Sequence, residues 1–328
     1  MSRPDTKRIL IVKLSSLGDL FHALPAVHMI RAAYTPCIID WVTHSAYKPL
    51  VECFADVDSV IAYPRQHFLQ NAHPFLRTLR TRQYDVILDL QGLLKSAMVS
   101  RLAKGSKRIG PSFCREGSRL LYRTTATSAD PNRHAVDQIL DVVDCLKIPR
   151  SDIRFPVTFP DVSKPASGPH VVMAPASRWP SKNWPVEKFA EAARHLQAAH
   201  GANITLIGAP GEESFCATIA TALAGKCRNA GGKTTLPEMG SIIASADVLV
   251  ANDSGPVHMA AALGIPTVVM YGPTNPTLIG PYGTGHHILQ PPTPCDCGRQ
   301  RVCRHPDTAC IKQITSERVI QAVEQILS

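Results

Sequence analysis

The turn after the first apolar segment carries an aspartate in a position suited to proton transfer. Residues 9–14 (ILIVKL) have the composition of a buried strand, a short Ser/Gly turn follows, and Asp19 begins a segment with helical spacing. A carboxylate there could accept the proton of a hydroxyl group as its oxygen attacks an electrophilic carbon. It could equally cap the helix, where an acid stabilises the helix dipole. The local sequence leaves both roles open.

A second segment has the features of an anion-binding helix start. Residues 251–260 read ANDSGPVHMA, at the end of an apolar run and the beginning of a helical pattern. The amide groups of Ser254 and Gly255 would have no partner within such a helix, and with the helix dipole they form a natural site for a diphosphate. Pro256 fits a first-turn position that needs no N–H. His258 faces either a ligand or the core.

Two further turns carry charged residues. In SRWPSKNWP (177–185), Lys182 could place a cation beside departing phosphates. It could also be a solvated loop lysine next to a packing anchor, Trp184. Glu212, in GAPGE (208–212), could simply begin a helix. The roles of these residues depend on the fold that positions them.

Short apolar runs alternate with helical patterns along the chain. The runs are ILIVKL (9–14), IIDWV (38–42), SVIAY (59–63), DVILDL (85–90), HVVMAP (170–175), ITLIGAP (204–210), DVLVAND (247–253) and PTVVMYG (266–272). This alternation predicts the α/β class, with parallel sheets and crossover helices. In doubly wound sheets ligands bind at the carboxyl ends of the strands, where we expect Asp19 to lie.

The domain boundary is predicted in a proline-rich segment, FPVTFPDVSKPASGP (155–169), which reads as an extended linker. We therefore predict two Rossmann-like domains, residues 1–160 and 161–328. An amphipathic pattern at 314–327 predicts a terminal helix, which could pack back on the first domain. Two such domains facing a cleft form the glycosyltransferase-B arrangement, although a two-domain dehydrogenase or a periplasmic-type binding protein would have the same outline.

Charge is concentrated in the first half of the chain. The formal net charge is +9, with 22 Lys/Arg and 14 Asp/Glu in residues 1–160 against 13 and 12 in residues 161–328. Such a surface attracts nucleic acid, anionic lipid or a phosphorylated sugar. Nucleic acid is disfavoured because no recognised reading module accompanies the charge. A dehydrogenase is disfavoured because no G-x-G-x-x-G follows the first strand.

Several motifs together resemble one enzyme family. They are VKLSSLGDLFHALPA (12–26), LDLQGLLKSA (88–97), SKNWP (181–185), GAPGEE (208–213), NDSGPVHMAAALGIP (252–266) and YGPTNPTLIGPYG (271–283). In this order they resemble the lipopolysaccharide heptosyltransferases, glycosyltransferase family nine, and most closely the type that adds the first heptose of the inner core. The resemblance extends over nearly the whole chain.

The resemblance implies an inverting transfer from ADP-heptose, with the donor held mainly by the C-terminal domain and no divalent metal in catalysis. Asp19 matches the catalytic base of the family. The residues that match its donor site are Ser177, Arg178, Lys182, Glu212, Asp253, Ser254, Gly255 and His258. Lys182 matches a phosphate-contacting lysine and Glu212 a glutamate near the ribose. Arg178 stands where the family usually has a threonine, so its guanidinium would replace a hydroxyl contact to the phosphates.

The implied acceptor is the Kdo region of a lipid A-type molecule at the inner membrane surface. The acceptor-site residues are expected to be Ser15, Ser16, Gly18, Arg65 and Lys95. A single acid, Glu116, interrupts eight basic residues between Lys95 and Arg123, which suits a phosphorylated acceptor or, alternatively, forms a solvated basic face. Another core heptose, a protein acceptor or a non-catalytic nucleotide-binding module are the alternatives.

The sequence also predicts a location for the protein. The N-terminal residues contain no apolar signal region, and no stretch of 18 consecutive apolar residues occurs in the chain. We therefore expect a cytoplasmic protein that could be peripheral at the inner face of the inner membrane. Oligomeric state is not predicted.

The ten cysteines fall into two groups. Six are scattered through periodic segments, and we expect them to be buried as small hydrophobic residues: Cys37, Cys53, Cys114, Cys145, Cys216 and Cys227. The other four lie within sixteen residues: Cys295, Cys297, Cys303 and Cys310. Four thiolates could hold structural zinc or iron tetrahedrally, but their spacing is not the usual paired C-x-x-C. Free or reversibly oxidised thiols are the alternative.

Overall fold

The chain folds into two compact units. The computed structural model describes residues 6–64, 68–127, 130–297, 300–306 and 309–328. The units are Met1–Thr158 and Phe159–Ser328, and each contains one six-stranded sheet and its own hydrophobic core.

The first unit alternates strands with helices. Its strands are β1 (Lys7–Val12), β2 (Cys37–His44), β3 (Ser59–Tyr63), β4 (Gln83–Asp89), β5 (Lys104–Gly110) and β6 (Thr124–Thr125). Its helices are α1 (Leu17–His22), α2 (Leu24–Ala33), α3 (Lys48–Val51), α4 (Phe68–Arg80), α5 (Leu94–Leu102) and α6 (Ala135–Cys145). The last four residues of β1 are fully buried, as expected for a central strand of a parallel sheet that helices cover on both faces.

The second unit repeats this alternation. Its strands are β7 (His170–Ala174), β8 (Asn203–Leu206), β9 (Arg228–Asn229), β10 (Val248–Asn252), β11 (Thr267–Met270) and β12 (His286–Leu289). Its helices are α7 (Val186–His200), α8 (Glu213–Ala222), α9 (Leu236–Ala244), α10 (Gly255–Ala262), α11 (Pro276–Ile279) and α12 (Ser316–Leu327). All five residues of both β7 and β10 are buried.

The two sheets have the same strand order. The first runs β3-β2-β1-β4-β5-β6 and the second β12-β11-β10-β7-β8-β9, and the neighbouring strands pair in parallel. This is the doubly wound order of Rossmann-like domains, which confirms the predicted α/β class. The order reverses between β1 and β4 in the first sheet and between β7 and β10 in the second. Ligands bind at such reversal points in open α/β sheets.

The terminal helix α12 belongs to the core of the second unit. Its buried apolar residues are Val319, Ile320, Ala322 and Val323, which pack in one cluster with residues of α7 and β10. Just before this helix, the carbonyl of Ile314 accepts a hydrogen bond of 2.9 Å from the indole of Trp184, a fully buried side chain. That α12 also reaches the first unit stays a prediction.

The segment predicted as a linker is extended. Val157 pairs with Phe54 in a single antiparallel bridge, and Phe159 is buried against α9. Gly240 of α9 is required at that contact, since a Cβ there would lie 2.5 Å from the ring of Phe159. The start of the proline-rich segment is therefore held by Phe54 of the first unit at Val157 and by α9 of the second unit at Phe159.

The expectation of six buried cysteines is correct for two of them. Cys37 and Cys216 are buried, whereas Cys53, Cys114, Cys145 and Cys227 are half-buried. The expectation was wrong for these four because they lie in turns or at the ends of elements, where neighbouring side chains cover only part of the thiol.

The helices are short. α7, with 15 residues, is the longest of the helices that the structure describes. None of the helices in the described ranges has the length and apolar composition to cross a bilayer.

Candidate active site

In the first unit, the turn between β1 and α1 is built around Asp19. Ser16 caps α1 with extended backbone dihedrals, and Asp19 lies three residues later, in the first helical turn. One carboxylate oxygen of Asp19 accepts hydrogen bonds from both the amide and the hydroxyl of Ser16, each at 2.8 Å. This is the reciprocal half of a capping box, so the helix-capping role expected for Asp19 is real. Its side chain nevertheless remains 40% exposed.

The charges around Asp19 keep it ionised. Partial desolvation raises its pKa, but the ammonium of Lys13, the imidazole of His22 and the two bonds from Ser16 outweigh that effect and leave the pKa below its usual value. The Nδ1 of His22 lies 3.9 Å from the second carboxylate oxygen. Asp19 is therefore a partly exposed carboxylate that is available as a proton acceptor at neutral pH.

Lys13 is a buried cation at the end of β1. Its ammonium donates a hydrogen bond of 2.7 Å to the carbonyl of Leu90, beyond the end of the adjacent strand β4. Burial lowers the pKa of Lys13, while Asp19 and Asp89 act in the opposite direction. Lys13 is not among the site residues predicted from the sequence. The available signal was a charged residue inside a buried apolar run, because a fully buried lysine requires compensating partners.

The loop after β4 supports the turn that contains Asp19. The side-chain oxygen of Gln91 accepts hydrogen bonds of 3.1 Å from the amides of Leu14 and Ser15. Asp89 in turn accepts from the amides of Gln91 and Gly92. Gln91 holds the two loops at the reversal point of the first sheet together, a role that the sequence analysis missed although the residue lies in a quoted motif.

The predicted acceptor residues fall into three positions. Ser15 and Ser16 form the Asp19 turn, and Gly18 is buried inside it. Lys95 is exposed at the start of α5, with its ammonium 5.8 Å from the ring centre of Tyr63. Arg65 lies outside the described residues.

In the second unit, the turn after β7 presents the predicted phosphate-contacting residues. The amide of Ser177 donates to the side chain of Asn183 at 2.8 Å, and its hydroxyl donates to the carbonyl of Trp179 at 3.0 Å. These bonds close the turn on itself, so the hydroxyl of Ser177 is already used. The adjacent Arg178 is exposed. Its guanidinium takes no part in the ion pairs formed by the described residues.

Lys182 and Asp253 form a buried ion pair at the reversal point of the second sheet. Their ammonium and carboxylate atoms are 2.6 Å apart, and the side chains are only 13% and 4% exposed. The hydroxyl of Thr274, which follows β11, donates to the same carboxylate oxygen at 2.5 Å. Lys182 also lies 4.9 Å from the ring centre of Trp179. Asp253 thus orients the lysine, and Thr274 is a further member of the site that the sequence analysis missed.

The start of α10 has the form expected of an anion site. Ser254 is the N-cap residue, but its hydroxyl makes no capping bond and is buried without a hydrogen-bond partner among the described residues. A buried hydroxyl in that state costs about 1–3 kcal/mol relative to a paired one. Gly255 and Pro256 follow at the first helical positions. The Ser254 hydroxyl has no hydrogen-bond partner in the described part of the chain, and the amides of the first turn have no acceptor within the helix. Both features indicate an anion-binding site.

The strand before α10 is fixed by an amide side chain. Asn252 accepts from the amide of Trp184 at 3.0 Å and donates to the carbonyl of Pro175 at 2.7 Å. These bonds tie the loops after β7 and β10 together, as Gln91 does in the first unit. His258, one turn into the helix, is buried. Burial is compatible with both positions considered from the sequence, and the donor-site role of His258 stays a prediction.

Glu212 begins α8. It occupies the N-cap position, and its carboxylate accepts a hydrogen bond of 2.8 Å from the amide of Ala209. The helix-start role considered from sequence is thus observed. The position, in the loop after β8, is at the same edge of the sheet as the loops with Lys182 and Ser254, because all three follow the carboxyl ends of neighbouring parallel strands.

Among the residues that the structure describes, two groups of side chains have the chemistry to hold a metal ion. Cys295, Asp296 and Cys297 place their ligand atoms within 4.8 Å of one another. The sulfur atoms of Cys297 and Cys303 are 3.8 Å apart, and burial together with the Cys295 thiol raises the pKa of Cys310 to about 12. The second group joins α7 to α12: Glu324 accepts from the Nε2 atoms of His195 and His200 at 3.0 and 2.9 Å.

The cysteine segment lies beside the Lys182 turn. The amide of Ser181 donates to the carbonyl of Arg301 at 3.1 Å, and its hydroxyl donates to that of Gln300 at 2.6 Å. The guanidinium of Arg301 lies 5.9 Å from the ring centre of Trp179, which also faces Lys182. The conformation of residues 300–301 therefore bears directly on the position of Lys182.

Comparisons with known proteins identify the family of the chain. The model of glycosyltransferase family 9 (heptosyltransferase) matches residues 72–308. Lipopolysaccharide heptosyltransferase 1 of Escherichia coli O18:K1:H7 is 29% identical over 97% of each chain, and that of Pseudomonas aeruginosa 27% identical over 98% of each. The structure of E. coli heptosyltransferase WaaC with ADP is 28% identical, with a TM-score of 0.82 over 97% of this chain and 99% of that one.

The whole-chain similarity to solved heptosyltransferases confirms the glycosyltransferase-B fold class. The family model covers well over half of the 328 residues, including β4 and the loops that carry Lys182, Glu212 and Ser254. The chain belongs to glycosyltransferase family 9, the heptosyltransferase family, and is a glycosyltransferase.

Proposed function

We propose that this enzyme transfers heptose from ADP-heptose to the Kdo region of the lipopolysaccharide inner core, with inversion at the anomeric carbon. The observation that carries the proposal is the buried Lys182–Asp253 pair beside an unpartnered Ser254 hydroxyl at a helix start. Relatives named lipopolysaccharide heptosyltransferase 1 and a WaaC structure with ADP support the choice of donor and pathway.

The second unit would bind the donor diphosphate. The amides of Ser254 and Gly255 would donate hydrogen bonds to the phosphate oxygens, with the helix dipole acting in the same direction, and the Ser254 hydroxyl would gain its missing partner. Lys182, held by Asp253, would neutralise the charge that develops on the departing ADP. The exposed guanidinium of Arg178 is free to add a bidentate contact, whereas Ser177 would first have to release the carbonyl of Trp179. Glu212 would bind near the ribose.

The first unit would supply the base. The carboxylate of Asp19 would accept the proton of the acceptor hydroxyl while the hydroxyl oxygen bonds to the anomeric carbon and the bond to the diphosphate breaks. The leaving ADP is already ionised, so one carboxylate is sufficient. Its depressed pKa keeps Asp19 deprotonated at neutral pH. Lys182 takes the role that a divalent metal has in other transferases, and we propose that the transfer needs none.

The acceptor would bind at the first unit, through the Ser15–Ser16 turn and Lys95, with Arg65 as a further candidate. The anionic Kdo and the phosphates of lipid A suit the excess of basic residues there. This excess favours a lipopolysaccharide acceptor over a protein acceptor, and a membrane-peripheral position in the cytoplasm follows from the nature of that acceptor. A later core heptose is the nearest alternative as the attacked sugar.

The transfer reaction can be tested directly. The purified protein is incubated with ADP-heptose and Kdo–lipid A, with and without EDTA, and product is followed by mass spectrometry and NMR. We expect transfer in both conditions and inverted anomeric configuration. Tight ADP binding without transfer to Kdo–lipid A, heptosylated core or a protein acceptor would instead support the nucleotide-binding module.

We further propose that Cys295, Cys297, Cys303 and Cys310 hold a structural zinc or iron ion. Four sulfurs bound tetrahedrally at about 2.3 Å from a metal lie about 3.8 Å apart, and the Cys297–Cys303 separation has this value. Elemental analysis of anaerobically purified protein tests the site: four titratable thiols and no stoichiometric metal would exclude it.

A further inference from the structure

An apolar stripe runs along the exposed side of α5. Leu94, Met98 and Leu102 follow one another at intervals of four residues, which places them on one face of the helix, and they are 43%, 51% and 38% exposed. The opposite side of the same helix packs into the first unit through Ala97 and Val99, which are buried. The helix therefore has two apolar sides: one packs in the core and the other is exposed.

The stripe continues onto the neighbouring 3-10 turn, residues 118–121. Leu120 in this turn is 89% exposed, and the turn packs against α5. Its backbone is fixed from both ends, since the hydroxyl of Ser118 donates to the carbonyl of Gly92 at 2.9 Å and the hydroxyl of Tyr122 donates to Asp89 at 2.5 Å. Leu120 is thus held outward by a rigid turn.

Basic residues are frequent in the stretch of chain that contains these apolar side chains, residues 95–123. They are Lys95, Arg101, Lys104, Lys107, Arg108, Arg115, Arg119 and Arg123. None of the eight pairs with an acid among the residues that the structure describes. The single acid in the same stretch, Glu116, already accepts a hydrogen bond from the amide of Leu94. The surface therefore combines exposed apolar side chains with uncompensated positive charge.

Three of these guanidinium groups lie close enough to repel one another. Desolvation lowers the pKa of Arg108, and the positive charges of Arg101 and Arg123 lower it further. Arg108 is fixed in place by hydrogen bonds to the carbonyls of Ser100 and Ala103. An anion bound beside these groups would remove the repulsion.

We propose that α5 and the 118–121 turn form a membrane-docking face that binds the surface of an anionic bilayer. Met98, Leu102 and Leu120 would enter the boundary between headgroups and acyl chains, while the arginines around them bind lipid phosphates. The combination favours a bilayer because an apolar stripe gains little from a soluble anion, and a purely apolar partner would leave the basic residues uncompensated. The proposal goes beyond the transfer reaction and is independent of the sugar transferred.

Vesicle binding by the full-length protein tests the face without any substrate. Sedimentation compares vesicles of phosphatidylcholine with vesicles that also contain phosphatidylglycerol. We expect binding to the anionic vesicles, weakened by salt, and a loss of about tenfold or more in the Met98→Glu/Leu120→Glu variant. The Arg101→Gln/Arg123→Gln variant should lose the preference for anionic lipid. Val162→Glu, in the second unit and 36% exposed, is the matched control and should bind as wild type.

Turnover on a soluble, deacylated acceptor separates a membrane face from an acceptor site. The Met98→Glu/Leu120→Glu variant should keep wild-type turnover on that acceptor and lose it on acceptor embedded in vesicles. Equal losses on both acceptors would mean that the face binds the acceptor itself. Wild type that fails to bind anionic vesicles, or a folded Met98→Glu/Leu120→Glu variant that binds as wild type, would overturn the proposal. Vesicle binding without any heptose transfer would leave it standing and remove the proposed reaction.

Discussion

The reversal points of the two sheets place the same pair of residue types in opposite roles. In the first unit the lysine is buried, and the carboxylate of Asp19 is 40% exposed. In the second unit Asp253 is buried and the ammonium of Lys182 contacts it directly. One topology therefore presents a carboxylate in the first unit and a cation in the second. The difference lies in which partner a neighbouring loop fixes: the carbonyl of Leu90 fixes Lys13 in the first unit, and the hydroxyl of Thr274 fixes Asp253 in the second.

The largest effect should follow from removing the exposed carboxylate. Asp19→Asn keeps the bonds from Ser16 but cannot accept a proton, so we expect kcat to fall about 10²- to 10⁴-fold. Calorimetry should show unchanged ADP affinity, because the donor is assigned to the second unit. A variant with full turnover would remove Asp19 as the base and leave it as a helix cap.

Replacement of Lys182, the cation of the second unit, should instead weaken ADP binding. Lys182→Met should weaken ADP binding about 10- to 100-fold, the contribution of a charge-assisted contact to phosphate. It should also destabilise the fold by about 3–5 kcal/mol, because the buried Asp253 carboxylate loses its partner.

A double variant separates these two effects. Lys182→Met/Asp253→Asn removes the unpaired charge and should recover stability in thermal melting without recovering ADP affinity. Recovery of both would mean that Lys182 acts on the fold alone and does not contact the diphosphate.

A smaller effect is expected for the buried lysine of the first unit. Lys13 depresses the pKa of Asp19, so Lys13→Met should raise that pKa and move the acid limb of the kcat/KM profile to higher pH. At neutral pH turnover should change little. The same shift bears on stability: the contribution of Asp19 is present above its unfolded pKa and is lost as pH falls through the lower folded value. An unchanged acid limb would show that Lys13 does not act on the base.

The smallest effect is expected for the hydroxyl that supports Asp253. Thr274→Val removes one hydrogen bond from the carboxylate while keeping the shape of the side chain, and ADP affinity should fall about three- to tenfold. Turnover at saturating donor should be retained. A loss as large as that of Lys182→Met would place Thr274 in contact with the donor.

The sequence predicted the parts of the fold whose signal is local. Buried runs such as residues 9–14 and 247–253 have few polar residues, so the central strands and the turns that follow them could be located. Strand β5 was missed because its sequence, KGSKRIG, is largely polar and glycine-rich, and its strand pairing depends on β4 rather than on apolar residues of its own.

The site residues divide in the same way. Lys182, Asp253 and Ser254 lie in motifs with turn and helix-start signals, and their positions after β7 and β10 agree with prediction, although their binding roles remain proposals. Thr274 reaches the carboxylate of Asp253 because β11 lies beside β10 in the sheet. The pairing of these two strands could not be predicted from the local sequence around either of them. The buried state of Lys13 depends likewise on the neighbouring strand β4.

The pairing of Lys182 with Asp253 makes donor entry an exchange of partners. The ammonium of Lys182 is neutralised by Asp253, so a passing anion would have to share the lysine with a buried carboxylate. A simple phosphate gains little from that exchange. On the proposed assignment, a nucleotide diphosphate would also fill the helix start at Ser254, and its added contacts would compensate for the shared charge. Discrimination between the donor and free phosphate would thus arise from a cation that is unavailable until the correct ligand has bound.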